Sequence, residues 1–262
     1  MNTFNFSSEP SFAELWDKCV RNLLYDVSDY TRDIEELFTS KNINKTSKIL
    51  DISAGGGFPA LDLSLKGYVI DCIDGSNDEV ELFNKKSKEN KLEVRCEKVL
   101  WKDIASLHRN NSYDFLFCRG NSFIYAAGGW NIEQDIDVTE SKKVFEQTLV
   151  NFLALLKDGG YMYIDKFMDT EVSHYETVGE IKVGDESAEK LVFWTERFPE
   201  QNIRKASLII EKINGDKIAV PNTTYDLKGL EFEEMLKGAG FSSVSQIKLP
   251  SEKHFQIWLC KK

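Results

Sequence analysis

The sequence is poor in the features that mark several protein classes. Its five cysteines, Cys19, Cys72, Cys96, Cys118 and Cys260, are scattered without a C-x-x-C pair. An odd, unclustered set argues against a disulfide framework and against a thiolate zinc site. Cys72 and Cys118 sit inside apolar runs, where cysteine behaves as a small buried hydrophobe. The three histidines, His108, His174 and His254, lie far apart, and no H-x-x-x-H spacing occurs, so no metal is expected. Basic residues form no dense cluster and the formal net charge is −10, which excludes the usual footprint of a nucleic-acid binder. Lys85, Lys86 and Lys88 are expected on the solvated side of a helix. No apolar run approaches a membrane span, and the N-terminus lacks the basic and apolar regions of a secretion signal. Repeats and low-complexity tracts are also missing. A reducing cytoplasm is the expected setting, with no membrane or nucleic-acid partner.

What is present is ordinary globular material. The chain has 262 residues, 42% of them hydrophobic and 29% charged, which suits one large α/β domain or a domain carrying an insertion. Helical spacing runs from about Ser11 to Ser40 through Phe12, Leu15, Trp16, Cys19, Val20, Leu23 and Leu24. A short β-type run, Lys48 to Ile52, precedes a glycine loop, and "FPALDLSLKG" fits a helix with Pro59 in its first turn. Strands are expected at "YVIDCID", "KLEVRCEKVL", "YDFLFC" and "YMYIDKF". Between them, "NDEVELFNKKSKEN" and "VTESKKVFEQTLVNFLALLKDGG" read as helices, the second with Thr139 as N-cap and Gly159-Gly160 as its stop. This alternation implies βαβ crossovers and a parallel sheet covered on both faces. After about Thr170 the texture becomes antiparallel: "KLVFWTERF" and "RKASLIIEKINGDKIAV" alternate, with Asn214-Gly215 as a hairpin marker. A helix, "LKGLEFEEMLKGAGF", and the strands "SVSQIKLP" and "KHFQIWLC" close the chain.

The chemistry centres on "DISAGGGFPA", residues 51–60. Gly55-x-Gly57-x-x-Ala60 satisfies a dinucleotide pattern, and Asp74 closes the next strand, where a carboxylate can accept two hydrogen bonds from a ribose diol. A glycine loop with a downstream acid points to an adenosine-containing cofactor without saying which. An NAD-dependent oxidoreductase and a non-enzymatic cofactor-binding protein are both compatible with these residues. Against a dinucleotide, the glycines are delayed, because Ser53-Ala54 separate Gly55 from the strand end.

The delayed glycines, "LLKDGGYMYI" and "KGAGF" before a closing strand pair together resemble the class I S-adenosylmethionine-dependent methyltransferases. Within that superfamily, "KILDISAGGG", "IDGS", the Trp of "VLWKDI" and especially Cys118-Arg-Gly-Asn-Ser-Phe123 are similar to the glycine N-methyltransferase type of small-molecule enzyme. The resemblance is strongest from Lys48 to Phe167. It implies a seven-stranded, mostly parallel Rossmann-like sheet with helices on both faces, its last strand antiparallel, plus a β-rich antiparallel insertion and an N-terminal helical lid. It divides the chain into a lid (1–45), a cofactor domain (46–170 and 225–262) and a substrate cover (171–224).

It also implies S-adenosyl-L-methionine as cofactor and a small-molecule acceptor, an amine nitrogen first and an O-methylated group as the alternative. The cofactor residues would be Trp16, Ser53, Gly55, Gly57, Asp74, Gly75, Ser76, Leu100, Trp101 and Arg119. Asp51 would hold the loop amides or the cofactor's ammonium. Ser76 or Asn77 doubles as a helix N-cap candidate. The family uses mainly backbone at Arg119, which leaves its guanidinium to solvent. On the acceptor side stand Asn121, Tyr125, Trp130 and Phe167, with Gly128-Gly129 and Trp130 as a possible lid and Tyr25 and Tyr30 as further lid candidates. Phe167 occupies the position of the family's carboxylate-binding Arg, and a phenyl ring cannot replace a bidentate guanidinium, which speaks against free glycine as acceptor. Lys166 is expected to point outward. Trp194, Phe198, Arg204 and Tyr225 are pocket candidates in the insertion. No Cys-His or Ser-His-Asp set presents itself, so no catalytic residue is named, and the oligomeric state is left open.

Overall fold

A computed structural model describes residues 11–107, 110–128, 136–169, 174–183, 187–211 and 215–262. Helix α1 (Phe12–Cys19) runs through one π turn into α2 (Val27–Ser40). Then follow β1 (Ile49–Asp51), α3 (Ala60–Leu65), β2 (Ile70–Asp74), α4 (Asn77–Glu89), β3 (Cys96–Lys98), α5 (Ile104–Leu107) and β4 (Tyr113–Cys118). Helix α6 (Val138–Leu155) leads to β5 (Leu156–Phe167). Next come β6 (His174–Val183), β7 (Ser187–Phe198), β8 (Ile203–Glu211) and β9 (Lys217–Tyr225), and the chain ends with α7 (Gly229–Gly238), β10 (Ser243–Ile247) and β11 (Phe255–Lys261).

Seven strands form one sheet in the order β10-β11-β5-β4-β1-β2-β3, with β11 antiparallel to both neighbours and the pairings from β3 to β5 parallel. The expected architecture is therefore the one observed. Alternation along the strands sorts side chains into two cores. Ile49, Cys72, Phe115, Phe117, Tyr163 and Ile257 pack under α2, α3 and α4. Leu50, Ile73, Leu116, Met162, Ile164 and Trp258 pack under α6 and α7. Both faces of the sheet are thus covered, which is why "YDFLFC" reads as a continuous apolar run. The second sheet is antiparallel, in the order β6-β7-β8-β9.

Several boundaries differ from the sequence expectation: β2 starts at Ile70, β3 is confined to Cys96–Lys98, β5 starts at Leu156, and both ends of α6 are shifted. Asp137, not Thr139, caps α6, accepting the Glu140 N–H at 2.9 Å. Both residue types make good caps, and the earlier one takes the position. Nor do Gly159-Gly160 stop this helix. It ends at Leu155, because the N–H groups of Asn111 and Ser112 take the carbonyls of Ala154 and Leu155 and Leu156 already pairs with Tyr113. The two glycines lie within β5.

Candidate functional site

Strand order reverses between β1 and β4, and a crevice beyond the carboxyl ends of the strands at such a switch point is the usual ligand site of an open parallel sheet. The glycine loop leaves β1 at this point. Gly55 has φ +51° and its N–H donates to Asp74 Oδ2 at 2.9 Å, while Ser76 N–H donates to Oδ1 at 2.9 Å. Asp74 is partly buried, and desolvation raises its pKa against the pull of these backbone donors. Each carboxylate oxygen keeps a second lone pair for a ligand. Beside it, a Cβ on Gly75 would stand 3.5 Å from Leu100 Cδ2, and Leu100 is an apolar side chain left 44% exposed. Ser76 is the N-cap of α4, accepting from Glu79 N–H. Glu79 is buried with Oε2 unpartnered, and burial pushes its pKa to about 8.

The two other glycines behave differently. Gly57 has φ +103°, and a Cβ there would meet Leu61 Cδ1 at 2.4 Å; one on Gly56 would meet Leu82 and Asp17. Their missing side chains let the loop press onto α3, α4 and α1. The contact with α1 was not legible as a site. Lys86 Nζ bonds both Gly56 O (2.9 Å) and Asp17 (2.7 Å), and Arg21 joins Asp17 to Asp62. Lys86 is therefore half-buried and not a solvated lysine. An acid at 17 and a base at 21 form an i,i+4 pair, the one sequence sign of this latch. Trp16, half-buried, stands next to Asp17 on the same helix.

The middle of the crevice joins β1 to β4. Ser53 Oγ accepts from Arg119 N–H at 2.9 Å, and Ser53 N–H donates to Asp51 Oδ1 at 3.1 Å. Asp51 is fully buried with Oδ2 unpartnered, and burial raises its pKa to about 7 despite the Ser53 bond and nearby Arg119. The Arg119 guanidinium does not point to solvent. It sits 4.8–5.1 Å from the ring centres of Tyr25, Tyr30 and Phe58, donates to Tyr30 Oη and Phe58 O, and leaves Nη2 unpartnered. Three aromatic faces shelter the cation and replace its water. Tyr25 and Tyr30 thus line a cage around this residue, tied further to Glu252 and Tyr163.

Trp101 lies behind the crevice. Its indole N–H donates to Ile52 O at 2.7 Å, and its ring stacks on Phe123 and meets Phe152 edge-on. On the far side, Asn121 has φ +59°. Its N–H donates to Asp165 Oδ1 (2.8 Å) and its Oδ1 accepts from Phe167 N–H (2.9 Å), so it staples the β4 exit to the end of β5. Asp165 is fully buried with Oδ2 unpartnered, and burial lifts its pKa to about 7. The ring of Phe167 packs edge-on against Phe255 and lies 5.8 Å from the Arg204 guanidinium of the second sheet, which also donates to the Tyr125 hydroxyl. Lys166 is 3% exposed, bonded to Asp169 at 2.6 Å and to Phe167 O, so the expectation of an outward lysine fails. Trp194 and Phe198 alternate away from Arg204 on the second sheet, and Tyr225 packs on Phe145 with its hydroxyl on Glu231. Gly129 and Trp130 lie outside the described residues.

One patch thus holds Ser53, Gly55, Asp74, Gly75, Ser76, Leu100 and Arg119, with Asn121, Tyr125 and Phe167 at its other end. Among the described residues no group of three or more His, Cys, Asp or Glu is arranged to hold a metal, and no helix is long and apolar enough to cross a membrane.

The family described as tellurite resistance protein TehB matches residues 20–128. A ubiquinone biosynthesis O-methyltransferase of Rickettsia felis is 23% identical over 141 residues, 54% of this chain and 50% of its own length. A glycine/sarcosine N-methyltransferase of Aphanothece halophytica is 23% identical over 156 residues, 59% of this chain and 52% of its own. The chain spans about half the length of these curated relatives. An S-adenosylmethionine-bound amino pentose methyltransferase from Micromonospora echinaspora superposes with a TM-score of 0.70 at 11% identity, covering 97% of this chain and 99% of that one. Strand order and these likenesses agree on the fold, which is that of the class I S-adenosylmethionine-dependent methyltransferases.

Proposed function

We propose that the protein binds S-adenosylmethionine across the switch point and transfers its methyl group to a small-molecule acceptor, an amine nitrogen being the favoured atom. The observation that carries this is the set of buried polar atoms without partners, Asp51 Oδ2 and Arg119 Nη2, standing between Asp74 and the acceptor end. Such atoms are costly unless a ligand completes them. An amino-acid zwitterion does so, its ammonium toward Asp51 and its carboxylate toward Arg119. Asp74 then takes the ribose hydroxyls, and Gly75 and Leu100 flank the base. A dinucleotide offers no ammonium to Asp51, which sets this reading above a nicotinamide one.

The bound cofactor supplies a methyl group already activated on a sulfonium. The protein's task is to align the acceptor with it and to exclude water. Asn121 and Phe167 fix the wall beside the acceptor, α1 with Trp16 serves as the lid (1–45), and the second sheet (171–224) serves as the cover over the cofactor domain (46–170 and 225–262). A neutral amine needs no dedicated base. The Rickettsia relative supports oxygen as the second choice of acceptor atom.

The test is calorimetry. Wild-type protein should bind S-adenosylmethionine in preference to NADH, and Asp74→Ala should weaken binding by about tenfold or more, through loss of two charge-assisted hydrogen bonds. Unchanged affinity in that variant removes the ribose assignment, and preference for NADH removes the cofactor.

A further inference from the structure

We infer that the second sheet carries a subsite for an anionic oxygen group on the acceptor, a carboxylate or a phosphate, centred on the guanidinium of Arg204. This inference deepens the methyltransferase reading and rests on it.

Register puts the relevant side chains on one face. Arg204 of β8 stands opposite Arg197 of β7 and Thr224 of β9. Residues directly opposite each other share a face, as do those two positions along. The next rung on that face is therefore Thr195, Ala206 and Asn222. This is the face turned toward the acceptor end of the crevice: Arg204 covers the Phe167 ring, donates to Tyr125, and donates to Thr195 Oγ1 at 3.3 Å, while Arg197 donates to Met168 O at 3.2 Å.

Two features of the face call for a polar ligand. Thr224 is fully buried with its hydroxyl unpartnered, and the buried Oδ1 of Asn222 is likewise unpartnered. Buried polar atoms of this kind are rare in folded proteins, and a bound group that pairs with them removes the cost of leaving them unsatisfied. Ala206, opposite Asn222 and next to Arg204 on this face, carries only a methyl group. A hydroxyl and a guanidinium side by side offer donors to an anionic oxygen, and the planar fork of arginine matches carboxylate and phosphate geometry. The amide oxygen of Asn222 accepts from an N–H or O–H on the same acceptor. Phe167 gives the guanidinium an aromatic floor, so the ring that cannot itself bind an anion helps to place the group that does.

The experiment titrates the S-adenosylhomocysteine-loaded protein with malonate in one arm and inorganic phosphate in the other, following thermal stability and calorimetric heat. One of the two anions is expected to give a saturable response. Arg204→Met should weaken it at least about tenfold and Arg204→Lys restore part of it, while S-adenosylhomocysteine affinity stays at the wild-type value. The arm that responds identifies carboxylate or phosphate. Thr224→Val, which keeps volume and all charges, should weaken the same response several-fold, and it stands in if the arginine variants do not fold. No saturable response in either arm, or an undiminished one in Arg204→Met or Thr224→Val, overturns the inference. Failure of wild-type protein to bind S-adenosylhomocysteine would instead count against the methyltransferase reading, so the two failures are separable.

Discussion

The two ends of the crevice are built by different means. At the proposed cofactor end, the contacts around the glycine loop and Asp74 join elements close in sequence, Asp51 to Ser53, Gly55 to Asp74 and Asp74 to Ser76, and Ser53 alone of these residues reaches on to Arg119. Backbone N–H groups supply most of the hydrogen bonds there, and the carboxylates of Asp51 and Asp74 accept them. At the acceptor end the contacts are long-range. Asn121 reaches β5, Arg204 comes from a separate sheet to meet Phe167 and Tyr125, and Arg197 reaches Met168. A loop-and-backbone site tolerates few residue choices, because glycine and carboxylate are each required by geometry. A site assembled from side chains of remote strands can change its ligand by exchanging single residues while the frame stays intact.

The largest effect that separates the ends is expected from pH. Burial raises the pKa of Asp51 and Asp165 to about 7 and that of Glu79 to about 8. A carboxyl whose folded pKa exceeds its unfolded one holds a proton in the native state that the unfolded chain has lost. The resulting stability is complete below the unfolded pKa near 4 and disappears as pH rises through 7 to 8. The unfolding temperature of the cofactor-free protein should therefore fall from about pH 5 to about pH 8.5. In the proposed binding mode S-adenosylmethionine would bring positive charge to Asp51 and should flatten that slope. Asp51→Asn should abolish the flattening, and Asp165→Asn should leave it. Equal slopes with and without cofactor, measured by differential scanning fluorimetry, would break the division between the two ends.

Within the glycine loop a second pair of variants divides fold from ligand. Gly57→Ala forces a side chain into φ +103° and to within 2.4 Å of Leu61, and should cost about 2–4 kcal/mol of stability. Gly55→Ala meets only Glu79 Oε2, at 3.7 Å, from φ +51°, and should cost about 1 kcal/mol while still impairing cofactor binding. If urea titration ranks the two the other way, Gly57 is not the packing residue the geometry makes it.

These contrasts also explain what could be read from the sequence. The alternation of strands and helices was legible because continuous apolar runs such as "YDFLFC" are separated by amphipathic segments whose ends carry glycine or a capping residue. The place of Asp74 beside the glycine loop was legible because it depends on position along one βαβ unit. Arg119 was misjudged: its cage is made by Tyr25, Tyr30 and Phe58, which share no local pattern with it. Lys86 failed for the same reason, since Asp17 lies 69 residues away in sequence. Lys166 has its partner Asp169 only three residues on, and its burial at the end of β5 is what no local pattern showed. Arg204 could be named only as one of four candidates, because β-alternation assigns a face but not what that face looks at.

Trp101 gives the smallest predicted effect and sits on the border between the two kinds of residue. The family resemblance makes it an expected cofactor contact, whereas its indole N–H is spent on Ile52 O and its ring on Phe123 and Phe152. Trp101→Phe keeps an aromatic ring for the stack and leaves the Ile52 carbonyl without its donor. The loss should be about 1 kcal/mol, or about 2–4 °C in unfolding temperature for a chain of this size. A residue that only supports the crevice should leave S-adenosylmethionine affinity within about threefold of wild type, since Leu100 and Gly75 still form the slot. A much larger loss of affinity with unchanged unfolding temperature would return Trp101 to the ligand and show that the apolar wall of the cofactor end extends one residue beyond Leu100.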